Sequence, residues 1–262
     1  MQLSEIYLYP IKSLGGISVS QAQLTDRGLQ YDRRWMLVDE SGKFLSQRGF
    51  RAMALLEIRL EGENMVVRHR QKQTEPLVLS LAPSLGAAKS VSIWKDEVEA
   101  HLVSPEADEW FSSILETPCH LVYMGEADHR AKKTGHLVSF ADGYPHLIIG
   151  QSSLNYLNAR LEEPVPMDRF RPNLVFTGGR PHAEDYWDHF VLGGVKFDCV
   201  KPCVRCQVPN IDQLTGQMKK EPNRTLAEYR QTDNKIMFGV NLVHEGEGKI
   251  AVGMDLEVVA RT

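Results

Sequence analysis

The hydrophobic positions of the first hundred residues fall in short β-branched or aromatic runs bounded by turn residues. Ile6-Tyr7-Leu8-Tyr9, Ile17-Ser18-Val19-Ser20, Trp35-Met36-Leu37-Val38 and Val91-Ser92-Ile93-Trp94 have the length and composition of strands. Asp39-Glu40-Ser41-Gly42 and Glu61-Gly62-Glu63-Asn64 read as hairpin turns between such runs. The far end of the chain repeats the pattern in Phe190-Val191-Leu192, Val195-Lys196-Phe197 and Leu256-Glu257-Val258-Val259, with Gly193-Gly194 as a hairpin signal.

Helical spacing is confined to three places. Ser104-Pro105 followed by Glu106 and Asp108 supplies a cap, a proline at the first helical position and acids in the first turn. That helix is expected to run to about Glu116 and to bury Trp110, Phe111 and Ile114. Ser152 is the expected cap of a second helix carrying Leu154, Leu157 and Leu161, and Asn223 that of a short third one through Arg230. Strands outnumber helices and do not alternate regularly with them, which argues against a doubly wound sheet. The expected fold is therefore mainly β (α+β), a β-barrel-like core with a few peripheral helices. The polar segment Glu126–Gly135 is the expected linker or mobile loop between two halves.

Composition narrows the function classes. The 262 residues are 42% hydrophobic and 24% charged, as in an ordinary soluble globular protein with ample core. A net charge of -4 argues against a nucleic-acid polymer as partner, while leaving room for a local basic pocket. Apolar stretches such as Leu147-Ile148-Ile149 are too short to cross a bilayer, so no membrane association is expected. The N-terminus lacks the basic and apolar regions of a signal peptide. Four cysteines do not make a disulfide scaffold, and a reducing cytoplasm is the expected setting.

Three of those cysteines, Cys199, Cys203 and Cys206, fall within eight positions, beside Lys201 and Arg205. Nearby positive charge favours the thiolate, the reactive and metal-binding form. Cys203-Val204-Arg205-Cys206 is a bare CxxC, open to zinc, redox and packing readings. Zinc normally wants four ligands, and a second pair is missing. A redox pair would open a helix in a βαβ unit, which Pro202 and Pro209 do not suggest. Cys199 and Cys119 sit in or beside apolar strands and read as packing.

Upstream, Lys12-Ser13 precedes Leu14-Gly15-Gly16, then Asp32-Arg33-Arg34-Trp35 and Ser46-Gln47-Arg48-Gly49 follow. In a strand, Arg33 and Arg34 would face opposite sides, so that one could enter a pocket. Lysine, serine and arginine converging on one point suit a phosphate, although the order of glycine and lysine is not that of a P-loop. Two further segments, Ser139-Phe140-Ala141-Asp142-Gly143-Tyr144-Pro145 and Phe170-Arg171-Pro172-Asn173, place polar side chains in turns, where Asn173 could simply satisfy backbone groups.

In this order, Pro10-Ile11-Lys12-Ser13, Asp32-Arg33-Arg34-Trp35, Ser139-Phe140-Ala141-Asp142-Gly143-Tyr144-Pro145, Phe170-Arg171-Pro172-Asn173 and Lys201-Pro202-Cys203-Val204-Arg205-Cys206 resemble motifs of the MOSC proteins, in particular the bacterial YcbX group, relatives of the mitochondrial amidoxime-reducing component. The resemblance covers essentially the whole chain. It implies a MOSC N-terminal β-barrel region over residues 1–122 and a MOSC domain over residues 123–262. It also implies a molybdenum cofactor, a pyranopterin dithiolene with a phosphate tail, whose metal would be held by Cys206. Lys12, Ser13, Arg33, Arg171 and the Asp142-Gly143 turn would line the pterin and phosphate. Arg205 would contact the cofactor, and Arg48 would stand near the metal. The implied activity is reduction of small N-hydroxylated substrates, namely hydroxylamines, amidoximes and N-hydroxylated bases, as a detoxifying reaction. The electrons would come from a separate flavin, haem or iron–sulfur protein, because the sequence has no cysteine after Cys206 to ligate an iron–sulfur cluster in cis. A non-catalytic carrier of the cofactor or of sulfur is the alternative. Gly143 stands where the mitochondrial relatives carry a hydroxyl residue, so a hydroxyl contact is lost there. No membrane anchor like theirs is expected.

Overall fold

The computed structural model describes residues 1–132 and 135–260. It is mainly β, with three α-helices among the described residues: α1 (Pro105–Leu115), α2 (Gln151–Asn158) and α3 (Asn223–Arg230). The largest sheet runs in the order Glu257–Ala260, Trp187–Leu192, Val195–Val204, Lys235–Glu245, His146–Gly150, Leu174–Thr177, Gln2–Leu8 and Ile17–Val19. Its neighbours are antiparallel except His146–Gly150 with Leu174–Thr177, which are parallel. The first strands of the chain thus pair with strands from its second half. The small sheet Gly248–Ala251, Gln21–Thr25, Gly28–Leu29 closes over the same interior. Leu3, Leu24, Phe190, Phe197, Leu242 and Ile250 meet there in one barrel-like core.

A second core lies under Trp35–Val38, His120–Tyr123, the meander Leu56–Glu61, Asn64–His69, Leu77–Ser80, and α1. Here the sequence pattern translates directly. Ser104 Oγ accepts the Ala107 N–H at 3.1 Å, and Glu116 ends the helix in a left-handed conformation. Phe111 and Ile114 are buried as expected, but Trp110 is only half-buried and donates its indole N–H to the Glu75 carbonyl at 2.8 Å.

Three expectations need correction. The cap of α2 is Gly150 rather than Ser152, because strand His146–Gly150 runs straight into the helix. A Cβ on Gly150 would lie 2.8 Å from the Phe176 ring. Leu161 falls beyond the helix end, where Asn158 bonds both the N–H and the carbonyl of Val165 to close a loop. Asn223 is the first residue of α3, not its cap. The Thr225 N–H is satisfied instead by Glu221 Oε2 at 3.1 Å, freeing the Asn223 amide to bond the Cys206 carbonyl at 2.7 Å. The polar segment Glu126–Gly135 is hydrogen-bonded to the rest of the chain where it is described, and Lys133 and Thr134 lie outside the described residues. Arg27 donates to the carbonyls of Gly125, Glu126 and Asp128, and the buried Arg130 to those of Ser139 and Ala141.

Candidate cofactor cleft

Every residue singled out from the sequence as a site residue lines one open cleft: Lys12, Ser13, Arg33, Arg48, Asp142, Gly143, Arg171, Arg205 and Cys206. They come from segments as far apart as residues 12 and 206, brought together where the ends of several strands meet. Strand Val195–Val204 delivers the cysteines. It continues through Lys201 and Pro202, because register breaks near Cys199/Lys201 and Pro202/Val204 absorb the missing proline N–H.

Cys206 is exposed at the mouth of the cleft, whereas Cys203 is half-buried and packs against the Leu147–Phe170–Phe238 core. Arg205 sits between them. It donates from Nη1 to Cys203 Sγ at 3.2 Å and from Nη2 to the Phe170 carbonyl at 2.7 Å, while its Nε is buried without a partner. Cys119 and Cys199 are buried away from the site, as packing residues should be. Among the described residues, the three or more His, Cys, Asp or Glu groups close enough to share an ion are Glu99, His101 and Asp128, so the cysteine pair gathers no zinc ligand set.

Opposite the cysteines stands the basic wall. Arg33 adopts a left-handed backbone (φ 50°) just before the strand starting at Trp35, so it is the turn, not strand alternation, that separates it from Arg34. Arg33 bonds Asp32 and Asn173 Oδ1 (3.0 Å) and lies 4.5 Å above the Tyr9 ring. Arg34 turns the other way, to the Met124 carbonyl and Glu126. Arg171, also left-handed (φ 54°), covers the same ring at 4.3 Å and donates to the Leu14 carbonyl at 2.6 Å. Burial, reinforced by Arg33 against the pull of Tyr9, brings its pKa down to about 10. The Tyr9 hydroxyl is buried without a partner. Gly16 makes room for that ring, since a Cβ there would come within 2.4 Å of it.

The buried Lys12 pairs with Asp142, whose side chain is 57% exposed. Lys12 Nζ bonds the Phe140 carbonyl at 2.8 Å as well as Asp142 Oδ1. Burial lowers the Lys12 pKa more than Asp142 raises it. The Asp142 carboxyl is held well below the usual carboxylate range. Its loss of solvent pushes upward, but Lys12, the Trp94 indole N–H (3.0 Å) and Arg48 (3.6 Å) outweigh that push. Gly143 leaves open space beside it, and its carbonyl meets His136 Nε2 at 2.9 Å. Ser13 has φ 70° and gives its carbonyl to Gln47 at 2.7 Å. His146 lines the cleft, while His129 lies away from it, beside Arg27.

Sequence reasoning missed Phe44, Gln47, Tyr144 and Trp94. Trp94 reads as the end of a strand, but it occupies a turn beside the cleft, outside its lining, with the Arg48 guanidinium 4.2 Å over its ring and the Phe44 ring tilted against it at 5.0 Å. No local signal marks Phe44 or Trp94, whose place follows from tertiary contacts, whereas Gln47 and Tyr144 stand within segments already singled out.

The electrostatic sum is lopsided. Lys12, Arg33, Arg48, Arg171 and Arg205 face Asp142 and Asp32, leaving an excess of positive charge. The unpartnered Nε atoms of Arg48 and Arg205 are buried donors in want of an acceptor. An anion with a soft metal at its other end suits this donor set: cations for the charged tail, a thiol for the metal.

Residues 1–118 match the MOSC N-terminal beta barrel domain, and residues 135–257 match the MOSC domain. The chain is 30% identical over 275 residues to mitochondrial amidoxime-reducing component 1 of Homo sapiens, covering 96% of this chain and 81% of that one. It is also 30% identical to mitochondrial amidoxime reducing component 2 of Homo sapiens, again covering 96% and 81%. With the molybdenum cofactor sulfurase of Oryza sativa subsp. japonica it shares 33% identity over 98% of its own length. The chain covers 35% of that sulfurase, and so spans about a third of its length. The protein belongs to the MOSC-domain family and is a relative of the mitochondrial amidoxime-reducing components. That membership points to a molybdenum cofactor. Among the described residues no helix is long and apolar enough to cross a membrane.

Proposed function

We propose that the protein is a molybdenum-cofactor-dependent reductase of N-hydroxylated compounds, working in the cytoplasm with electrons from a separate flavin, haem or iron–sulfur protein. The observation that carries this reading is the exposed Cys206 thiol opening into the same cleft as five cationic side chains. Cys206 would hold the metal, and Lys12, Ser13, Arg33 and Arg171 the pterin and its phosphate. When bound, the group supplies the two-electron couple for cleaving an N–O bond. The substrate N–OH, two electrons and two protons yield N–H and water.

The chain's own residues set the conditions. Arg33 and Arg171, clamped on the Tyr9 ring and bonded to buried acceptors, are fixed before any ligand arrives, so little ordering is left to do on binding. Asp142 stays ionised at neutral pH and gathers Lys12, Arg48 and Trp94 about its carboxylate. It acts as an acceptor, not as the proton donor. Cys203 is held by Arg205 and by its apolar packing, and serves as a structural neighbour.

The similarity to cofactor sulfurases favours a second reading, that of a non-catalytic carrier of the cofactor or of sulfur. Turnover separates the two. Protein from cofactor-competent cells should contain molybdenum by elemental analysis and, with an artificial electron donor, convert benzamidoxime to benzamidine. Molybdenum without turnover would favour the carrier, and zinc without molybdenum would contradict both readings.

A further inference from the structure

Trp94 combines two properties that ordinary packing does not explain. It is 48% exposed, and it adopts φ 59° in the two-residue turn between strands Ala88–Ile93 and Asp96–Leu102, where Ile93 pairs with Asp96. Such turns favour Asn, Asp or Gly, because a bulky side chain is strained in the left-handed region. Strain at an exposed residue calls for a compensating role, and the contacts of Trp94 lead into the cleft. Its indole N–H bonds Asp142 Oδ1 at 3.0 Å, and its ring carries the Arg48 guanidinium at 4.2 Å. The Arg48 carbonyl in turn meets Gln207, the residue after Cys206, at 3.5 Å.

We propose that Trp94 is a specificity-determining residue, whose exposed indole, beside the cleft and in contact with its lining residues Asp142, Arg48 and Phe44, stacks on flat aromatic N-hydroxylated substrates and favours them over small aliphatic ones. An exposed indole offers a planar apolar surface at little entropic cost, and its fixed N–H and stacked arginine hold that surface in one orientation. Hydroxylamine or acetamidoxime has no ring to place there, whereas an arylamidoxime or an N-hydroxylated base does. The proposal rests on the reductase reading, but it is tested by binding, so the two can fail separately.

The experiment measures dissociation constants of benzamidoxime and acetamidoxime by titration calorimetry on cofactor-loaded protein, for wild type, Trp94→Phe and the turn-compatible Trp94→Asn. Wild type should bind benzamidoxime about ten-fold tighter than acetamidoxime, the range expected of one aromatic stacking contact. Trp94→Phe should keep most of that ratio, and Trp94→Asn should bring it to within about two-fold of unity. The thermal midpoint of Trp94→Asn should stay within about 5 °C of wild type. An unchanged ratio in Trp94→Asn, no preference in wild type, or a collapse of the midpoint would overturn the proposal, the last by making Trp94 a structural residue. Turnover of benzamidoxime by wild type bears on the reductase reading alone.

Discussion

Asn173 ties the basic wall to the sheet through one amide. Its Oδ1 accepts from Arg33 Nη1 at 3.0 Å and from the Leu147 N–H at 3.3 Å, and its Nδ2 donates to the Tyr7 carbonyl at 3.2 Å. At 1% exposure, these bonds are shielded from solvent in the native protein. Asn173→Ala should therefore cost about 2–3 kcal/mol, read as a lower urea midpoint with unchanged slope. The backbone-satisfying role of Asn173 was legible, because an asparagine beside proline at a strand start has few other uses. The buried state of Cys119 and Cys199 was legible from their apolar neighbours. Trp94 was not: its partner Asp142 is 48 positions away, and nothing local distinguishes a tryptophan in a strained turn from one at a strand end.

At the scale of elements, the turns were read most reliably, because their chemistry is local. Gly193 (φ 60°) and Gly194 (φ 80°) make the hairpin from Leu192 to Val195, and Gly62 (φ 62°) the one from Glu61 to Asn64. Helix α1 was equally clear, since cap, proline and acids agreed. The starts of α2 and α3 were misplaced because a plausible Ser or Asn cap lay nearby while tertiary geometry chose another solution. In α3 that choice matters to the site: the Asn223 amide holds the Cys206 carbonyl, and so positions the loop presenting the thiol. The length of strand Val195–Val204 was hidden by Pro202, which a register break accommodates. The second half of the KPCVRC motif thus inherits its position from a strand deep in the main sheet.

At the scale of the whole molecule, the cleft exists because the first strands of the chain enter the sheet of the second half. This crossover brings Lys12 and Arg33 to the cysteines. The ordered motifs showed that these residues belong together, but pairing across such sequence distances carries no periodic signal. Burial also leaves a mark on the whole protein's pH response. His146 is 2% exposed, and desolvation, with His244 and Arg33 adding to it, pulls its pKa well below the ordinary 6.5. The unfolded chain takes up this proton below pH 6.5 while the folded chain does not. Stability is thus complete above 6.5 and falls as pH drops toward the folded value, by about 1.4 kcal/mol per pH unit for this group. Urea titrations at pH 7.5, 6.5 and 5.5 should show that decline, and His146→Gln should lessen it, the remainder coming from His182, His244 and His69, whose pKa values burial also lowers. The central claim, that Cys206 holds the metal of a working reductase, is tested most directly by Cys206→Ser. With the cofactor bound and the fold intact by circular dichroism, this variant should lose reduction of benzamidoxime altogether. Full turnover by the same loaded variant would contradict the assignment.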